Sequence, residues 1–271
     1  LTTHAVQASC PPLILIFGPF DPSGSSGLPA DAVTCAGLGC HALAALTAVT
    51  VRDTAATEEI QPAAPELIDD QARCLLEDMR VQAIKVGPLY TTESISVLAQ
   101  IAADYSHVPL VLHLQQLPDE TLIENMDVED VQLAIFELLL PQTDIVVVDH
   151  NLLQQWQAQG VLAGDGAASP AQALLQYGAK WVLTTGAPLR PGHGSHLLQG
   201  QQGETANWNW QAPPSRLVDA DGPLACAIAA GLARGQDVQK AVHDAISTAG
   251  PLVSRSFQPG MGQRIIDRSM A

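Results

Sequence analysis

The chain has 271 residues, and 12 Lys and Arg against 28 Asp and Glu give it a formal charge of −16. That balance argues against nucleic acid and anionic membrane as partners, since both need basic surface, and it repels a free phosphate ester unless a local site overcomes the field. No apolar run is long enough to cross a bilayer, and Cys10, Cys35, Cys40, Cys74 and Cys226 show neither C-x-x-C nor zinc spacing, the usage expected of reduced thiols in the cytoplasm.

The length suits one large α/β domain or two small ones. With no linker, low-complexity tract or internal repeat, residues 1–271 are expected to form a single domain. The N-terminus lacks the basic-then-apolar order of a signal peptide.

Residues 13–17, LILIF, have the length and composition of a buried strand. The small-residue loop Asp21-Pro22-Ser23-Gly24-Ser25-Ser26-Gly27 follows, and then a helix over about 26–37. Strand, small-residue loop and helix is the arrangement by which α/β proteins turn backbone N–H groups toward a ligand. The loop has neither the Gly-Lys-Ser/Thr of a nucleotide-binding P-loop nor the glycine spacing of a dinucleotide site; a tight turn without a ligand is the plain alternative. A second strand is expected at 43–51, an amphipathic helix at 62–80, a third strand at 81–89 and a helix at 91–105. A fourth strand at 108–112 leads to His113, which is either a base at a strand end or merely solvated. Beyond it come a helix at 128–139, the buried strand DIVVV at 144–148, a helix at 170–177 and a strand at 179–185. Strands at 195–199 and 205–211 pair as a hairpin around 200–203, with Trp208 and Trp210 on one face as packing groups. A loop from Leu217 feeds a helix of small residues ending near Gly235, and a last helix covers 237–256. This alternation gives a doubly wound, mostly parallel sheet with helices on both faces.

The run Gly18-Pro-Phe-Asp-Pro-Ser-Gly-Ser-Ser-Gly-Leu-Pro-Ala-Asp31 resembles G-x-D-P-S-G-G-A-G-x-Q-A-D of the hydroxymethylpyrimidine and phosphomethylpyrimidine kinases of thiamine biosynthesis. The resemblance extends almost end to end and implies a ribokinase-like α/β fold that uses ATP and Mg²⁺ to phosphorylate a small pyrimidine. It places Asp21, Gly24, Ser26, Gly27, Asp31, Arg52, Pro88 and His113 toward the substrate, and Asn151, Gln154, Thr185 and Gly186 toward the nucleotide. Asp219, Asp221 and Gly222 fall on the family's anion hole and catalytic base. Several of these positions depart from the family pattern. Arg52 replaces a Gln that reads the pyrimidine, Pro88 replaces a Met, His113 replaces an Asp before a glycine-rich lid, and Gln154 replaces a Glu on the magnesium side. An amide adds no charge where Mg²⁺ prefers anionic oxygen, so weak metal binding is expected. Asp219 and Asp221 stand where the family has anion-hole glycines, and Gly222 stands where it has Cys; the two aspartates also suit plain helix caps. Three functions remain: a pyrimidine kinase with impaired activity, a non-catalytic pseudokinase binding a pyrimidine, nucleotide or protein, and an enzyme of this fold with another substrate. Family members commonly associate, so a homodimer is expected.

Overall fold

The computed structural model describes residues 10–124, 126–162, 169–211 and 217–269. In chain order the elements are β1 (Leu13–Phe20), α1 (Gly27–Gly37), β2 (His41–Arg52), β3 (Thr57–Pro62), α2 (Pro65–Asp78), β4 (Ala83–Val86), α3 (Thr92–Asp104), β5 (Leu110–Leu114) and α4 (Val128–Ala134). They continue with β6 (Ile145–Asp149), α5 (His150–Ala158), α6 (Pro170–Gln176), β7 (Trp181–Arg190), β8 (His193–Gly200), β9 (Thr205–Gln211), α7 (Gly222–Ala233), α8 (Val238–Ser254) and the short pair β10 (Ser256–Phe257) and β11 (Ile265–Ile266).

The main sheet has nine strands in the order β3-β2-β1-β4-β5-β6-β7-β8-β9. β2, β1, β4, β5, β6 and β7 run parallel, while β3 pairs antiparallel with β2 at one edge and the β7–β8 and β8–β9 pairings are antiparallel at the other. Alternate residues of each central strand serve opposite faces, as a period of two requires. Leu15, Phe17, Ile84, Val86, Leu110, Leu112, Val146 and Val148 pack toward α2–α6. Ile14, Ile16, Ala83, Val111, Ile145 and Val147 pack toward α1, α7 and α8. Strands buried on both faces are apolar almost throughout, which is why 13–17 and 144–148 are legible as strands.

α7 is buried along its whole length, and its small residues allow close approach. A Cβ on Gly231 would lie 2.9 Å from the Cβ of Ala241 on α8.

Three elements differ from the sequence expectation. TEEIQP forms β3, so the helix expected from 62 begins at Pro65; only Ile60 of that strand is well buried, because an edge strand needs a single inward anchor. α5 follows β6 directly, its first turn closed by Asp149, whose Oδ1 accepts from the N–H groups of Asn151 (2.8 Å) and Leu152 (3.3 Å). β7 runs on to Arg190 and pairs with a β8 that starts at His193, which lengthens the hairpin. Trp208 packs against α8, its indole N–H donating to Nδ1 of His243 at 3.1 Å; the side chain of Trp210 lies outside the described residues.

Candidate active site

The parallel strands end on one rim. There, a cleft of about 670 Å³ is lined by His113–Gln116 at the end of β5, by Asp149, Asn151, Leu152 and Gln155 where β6 turns into α5, and by Leu217 and Asp219–Asp221 before α7. Open α/β sheets bind ligands at such a rim. The charge of the cleft is one-sided: among the described residues its lining contains Asp149, Asp219 and Asp221 but no Lys or Arg.

Asp221 sits at the N-cap position of α7 without capping it by its side chain. Its Oδ2 instead accepts from Oγ1 of Thr185 at 2.6 Å. Burial, opposed by that hydrogen bond and reinforced by Asp149 and Asp219, pushes its carboxyl up to about 7. Asp219 has φ +52° and a side chain only 4% exposed. Its Oδ1 accepts from Nε2 of Gln115 at 3.0 Å and lies 3.9 Å from Nδ1 of His113. Burial raises the Asp219 carboxyl above the ordinary range, against the pull of Lys85 and Arg268. His113 is buried, and desolvation with the neighbouring Lys85 charge lowers it to about 3, so it is neutral at physiological pH.

Around β1 the loop is organised by Asp21. Its Oδ1 accepts from the N–H and hydroxyl of Ser23, and its Oδ2 from the hydroxyl of Ser25 and the N–H and hydroxyl of Ser26. Burial alone would raise this carboxyl, but the serines and Arg52 prevail and hold it below the ordinary range. Arg52 lies 3.8 Å from Asp21 Oδ2 and 3.5 Å from Ser26 Oγ, close to the buried Tyr90. Gly24 and Gly27 have φ of +66° and +61°.

The candidates therefore fall into separate groups. His113, Asn151, Asp219 and Asp221 share the cleft, with Thr185 reaching it through Asp221 and Gly186 beside it on β7. Asp21, Ser26 and Arg52 cluster on the first loop of the same rim. Of the five residues Asp21, Asp31, Arg52, Pro88 and His113, only His113 lines the large cleft. Asp31 is in the core, 2.5 Å from the ammonium of Lys85, with its other oxygen accepting from the thiol of Cys226 at 3.2 Å. The carbonyl of Pro88 accepts from Thr47. Gln154 is exposed on α5, and Gln155 is the glutamine that faces the cleft.

Sequence reasoning missed Asp149, Gln115 and Tyr90. Asp149 carried a usable signal, an Asp between an apolar strand and a helical run. Gln115 carried none, because its importance comes from Asp219, 104 positions away in sequence.

A family model described as phosphomethylpyrimidine kinase matches residues 21–267. The chain belongs to this family. A hydroxymethylpyrimidine/phosphomethylpyrimidine kinase of Streptomyces coelicolor is 30% identical over 268 residues, covering 96% of both chains. A kinase of the same description from Mycobacterium tuberculosis is 31% identical over 242 residues, covering 86% of this chain and 84% of the relative. The solved pyridoxal kinase of Staphylococcus aureus in complex with ADP superposes with a TM-score of 0.81 at 20% identity, covering 96% of this chain and 94% of that one. The expected ribokinase-like fold is thus the fold present, and the phosphomethylpyrimidine kinase family supplies the frame for its cleft.

Proposed function

We propose that this chain is an ATP-dependent kinase of hydroxymethylpyrimidine and its monophosphate in thiamine biosynthesis, with phosphoryl transfer strongly impaired. The family membership supports the reaction. The observation behind the impairment is the cleft, in which Asp149, Asp219 and Asp221 face a ligand with no Lys or Arg among the described lining residues.

Phosphoryl transfer depends on positioning and on offsetting negative charge spread over the moving group. A carboxylate ~4 Å from a phosphate opposes it by about 4 kcal/mol per unit of phosphate charge at an effective dielectric of ~20. Gly222 brings no side chain to accept the hydroxyl proton of the substrate, and loss of a positioned base costs about 10²–10⁴ in rate. In this reading the nucleotide lies along Asn151, Thr185 and Gly186, with Gln154 at the edge. The pyrimidine lies between His113 and the loop carrying Asp21, Gly24, Ser26 and Gly27, with Arg52 and Pro88 beside it. Asp31 acts from the core through Lys85.

The donor set fits a magnesium ion that arrives with the nucleotide. Among the described residues no group of three or more His, Cys, Asp or Glu forms a ready-made cage. Magnesium in such enzymes rests on one or two carboxylates plus substrate phosphates. Asp149, both of whose cap bonds fall on Oδ1, would supply one carboxylate through its other oxygen. Such an ion would offset phosphate charge, and a single protein carboxylate would hold it weakly.

The absent base favours a second reading, a non-catalytic member that binds a pyrimidine, a nucleotide or a protein. Arg52 beside Asp21 leaves room for a different substrate. The cysteines are free, which suits a reducing cytoplasm. A coupled ADP-release assay with hydroxymethylpyrimidine and with its monophosphate separates these readings. Slow turnover of either supports impaired kinase activity, turnover near one per second removes the impairment, and no product with either supports the non-catalytic reading.

A further inference from the structure

Asp219 is the one non-glycine residue with positive φ among the described residues. An L-residue adopts this conformation at a cost, although Asp tolerates it better than most. Its carboxylate fills the volume that a side chain at 222 would take, since a Cβ on Gly222 would lie 2.2 Å from Oδ2 and 2.7 Å from Cγ. The bare glycine is thus what lets the carboxylate lie over the first turn of α7.

This place is electrostatically special. α7 is twelve residues long and its positive dipole end lies at the cleft wall formed by Asp219–Asp221; Pro223 brings no N–H to its first turn, and the Gly222 N–H donates to the Asp219 carbonyl at 3.3 Å. Burial raises the Asp219 carboxyl, and Lys85 and Arg268 oppose that by adding positive potential. Gln115 holds the other side, and almost none of the side chain is open to water. The neighbouring carboxylate of Asp221 is committed to Thr185. An oxygen pair of the chain itself therefore already lies over the helix start, where an incoming anion would have to go.

We propose that Asp219 is a built-in occupant of the anion position at the start of α7, and that it sets the ligand class of the cleft by excluding a terminal phosphate. The inference rests on reading the cleft as a nucleotide site but does not require turnover. It makes Asp219 a specificity-determining residue. A nucleoside diphosphate that stops short of the helix start is tolerated better than a triphosphate that must displace the carboxylate.

The test is calorimetric titration of the full chain at fixed Mg²⁺ with ADP and with the ATP analogue carrying a methylene between its β and γ phosphates. The natural protein is compared with Asp219→Gly, Asp219→Asn and Gly222→Ala. Glycine suits the backbone at 219, asparagine keeps the shape without the charge, and alanine at 222 pushes the carboxylate aside while retaining it. Thermal unfolding of each variant confirms that it is folded. The expected result is a gain of at least tenfold in affinity for the triphosphate analogue in both 219 variants, a gain in the same direction in Gly222→Ala, and a smaller change for ADP. If neither 219 variant binds the analogue better than the natural chain, or if ADP gains equally, the inference is overturned. Running the same proteins in the ADP-release assay keeps the two readings apart. Tighter analogue binding with no pyrimidine phosphorylation leaves the exclusion standing and removes the kinase reading. Pyrimidine turnover with unchanged analogue affinity does the reverse.

Discussion

Lys85 is the residue before the end of β4, on the face covered by α1 and α7, and its ammonium is buried against Asp31. Burial favours the neutral amine, but Asp31, Cys226 and Asp219 outweigh it and the ammonium is held charged. A buried pair of this kind adds little over apolar packing, yet removing one partner strands the other charge. Lys85→Met is therefore expected to destabilise the fold by roughly 3–5 kcal/mol, and Lys85→Met with Asp31→Leu by much less. Urea unfolding of the single and double variants measures the difference. Asp221 carries the opposite kind of signature. Its carboxyl rises from an ordinary 3.8 to about 7, so over that window the unfolded chain releases a proton that the folded chain retains. This contribution to stability is complete below the unfolded value and is lost as pH rises through the folded one. Asp221→Asn should thus gain in stability relative to the natural chain between about pH 4 and 7, and no further above that. A difference in urea midpoint that stays constant across pH 4.5, 6 and 8 would contradict it.

At the scale of elements, the turn from β1 into α1 shows how a ligand-facing loop is built. Every strong acceptor position of Asp21 is used by its own loop, so this carboxylate folds the turn before it can read any ligand. The glycine that closes the turn is required on two counts. Gly27 has φ +61°, and a Cβ there would lie 2.3 Å from the carbonyl oxygen of Pro19. Gly27→Ala is expected to cost about 1–3 kcal/mol from the backbone conformation alone, with more from the clash. Gly24→Ala, where a Cβ meets nothing within 4 Å, should cost less. Thermal unfolding of the two variants orders them. An equal loss at both positions would mean that backbone conformation, rather than the approach to Pro19, controls the turn.

For the whole molecule, the C-terminal segment closes back on the first loop. Arg268 donates to Thr34 and to the carbonyl of Ser25, and Gly262 meets Thr54. With the C-terminal segment bonded back to the first loop and α1, unfolding is expected as a single calorimetric transition; two resolved transitions would divide the chain into domains. Phe20, Val49 and Val51 are exposed apolar residues near the end of β1 and on β2, and Phe20 and Val49 are register partners. We propose them as the contact surface of the expected homodimer. Sedimentation equilibrium should give twice the monomer mass, and Val49→Glu with Val51→Glu should return the monomer.

The parallel sheet and its two helical layers were legible in the chain alone, because alternating apolar runs and small-residue helices state which side is buried without reference to any partner. β3 was not, since TEEIQP has one inward residue and its place comes from pairing with β2. The loop of Asp21 was recognisable as a ligand-type turn, but that Asp31 turns inward to Lys85 depended on a pairing 54 residues apart. The replacements at 219, 221 and 222 were visible as changes of residue type. That one carboxylate folds over a bare glycine while the other turns to Thr185 depended on a left-handed backbone and on neighbours from β5 and β7. Local pattern determines which residues are buried. Which buried charge faces which, and therefore what the cleft admits, is decided only when the strands bring distant residues onto one rim.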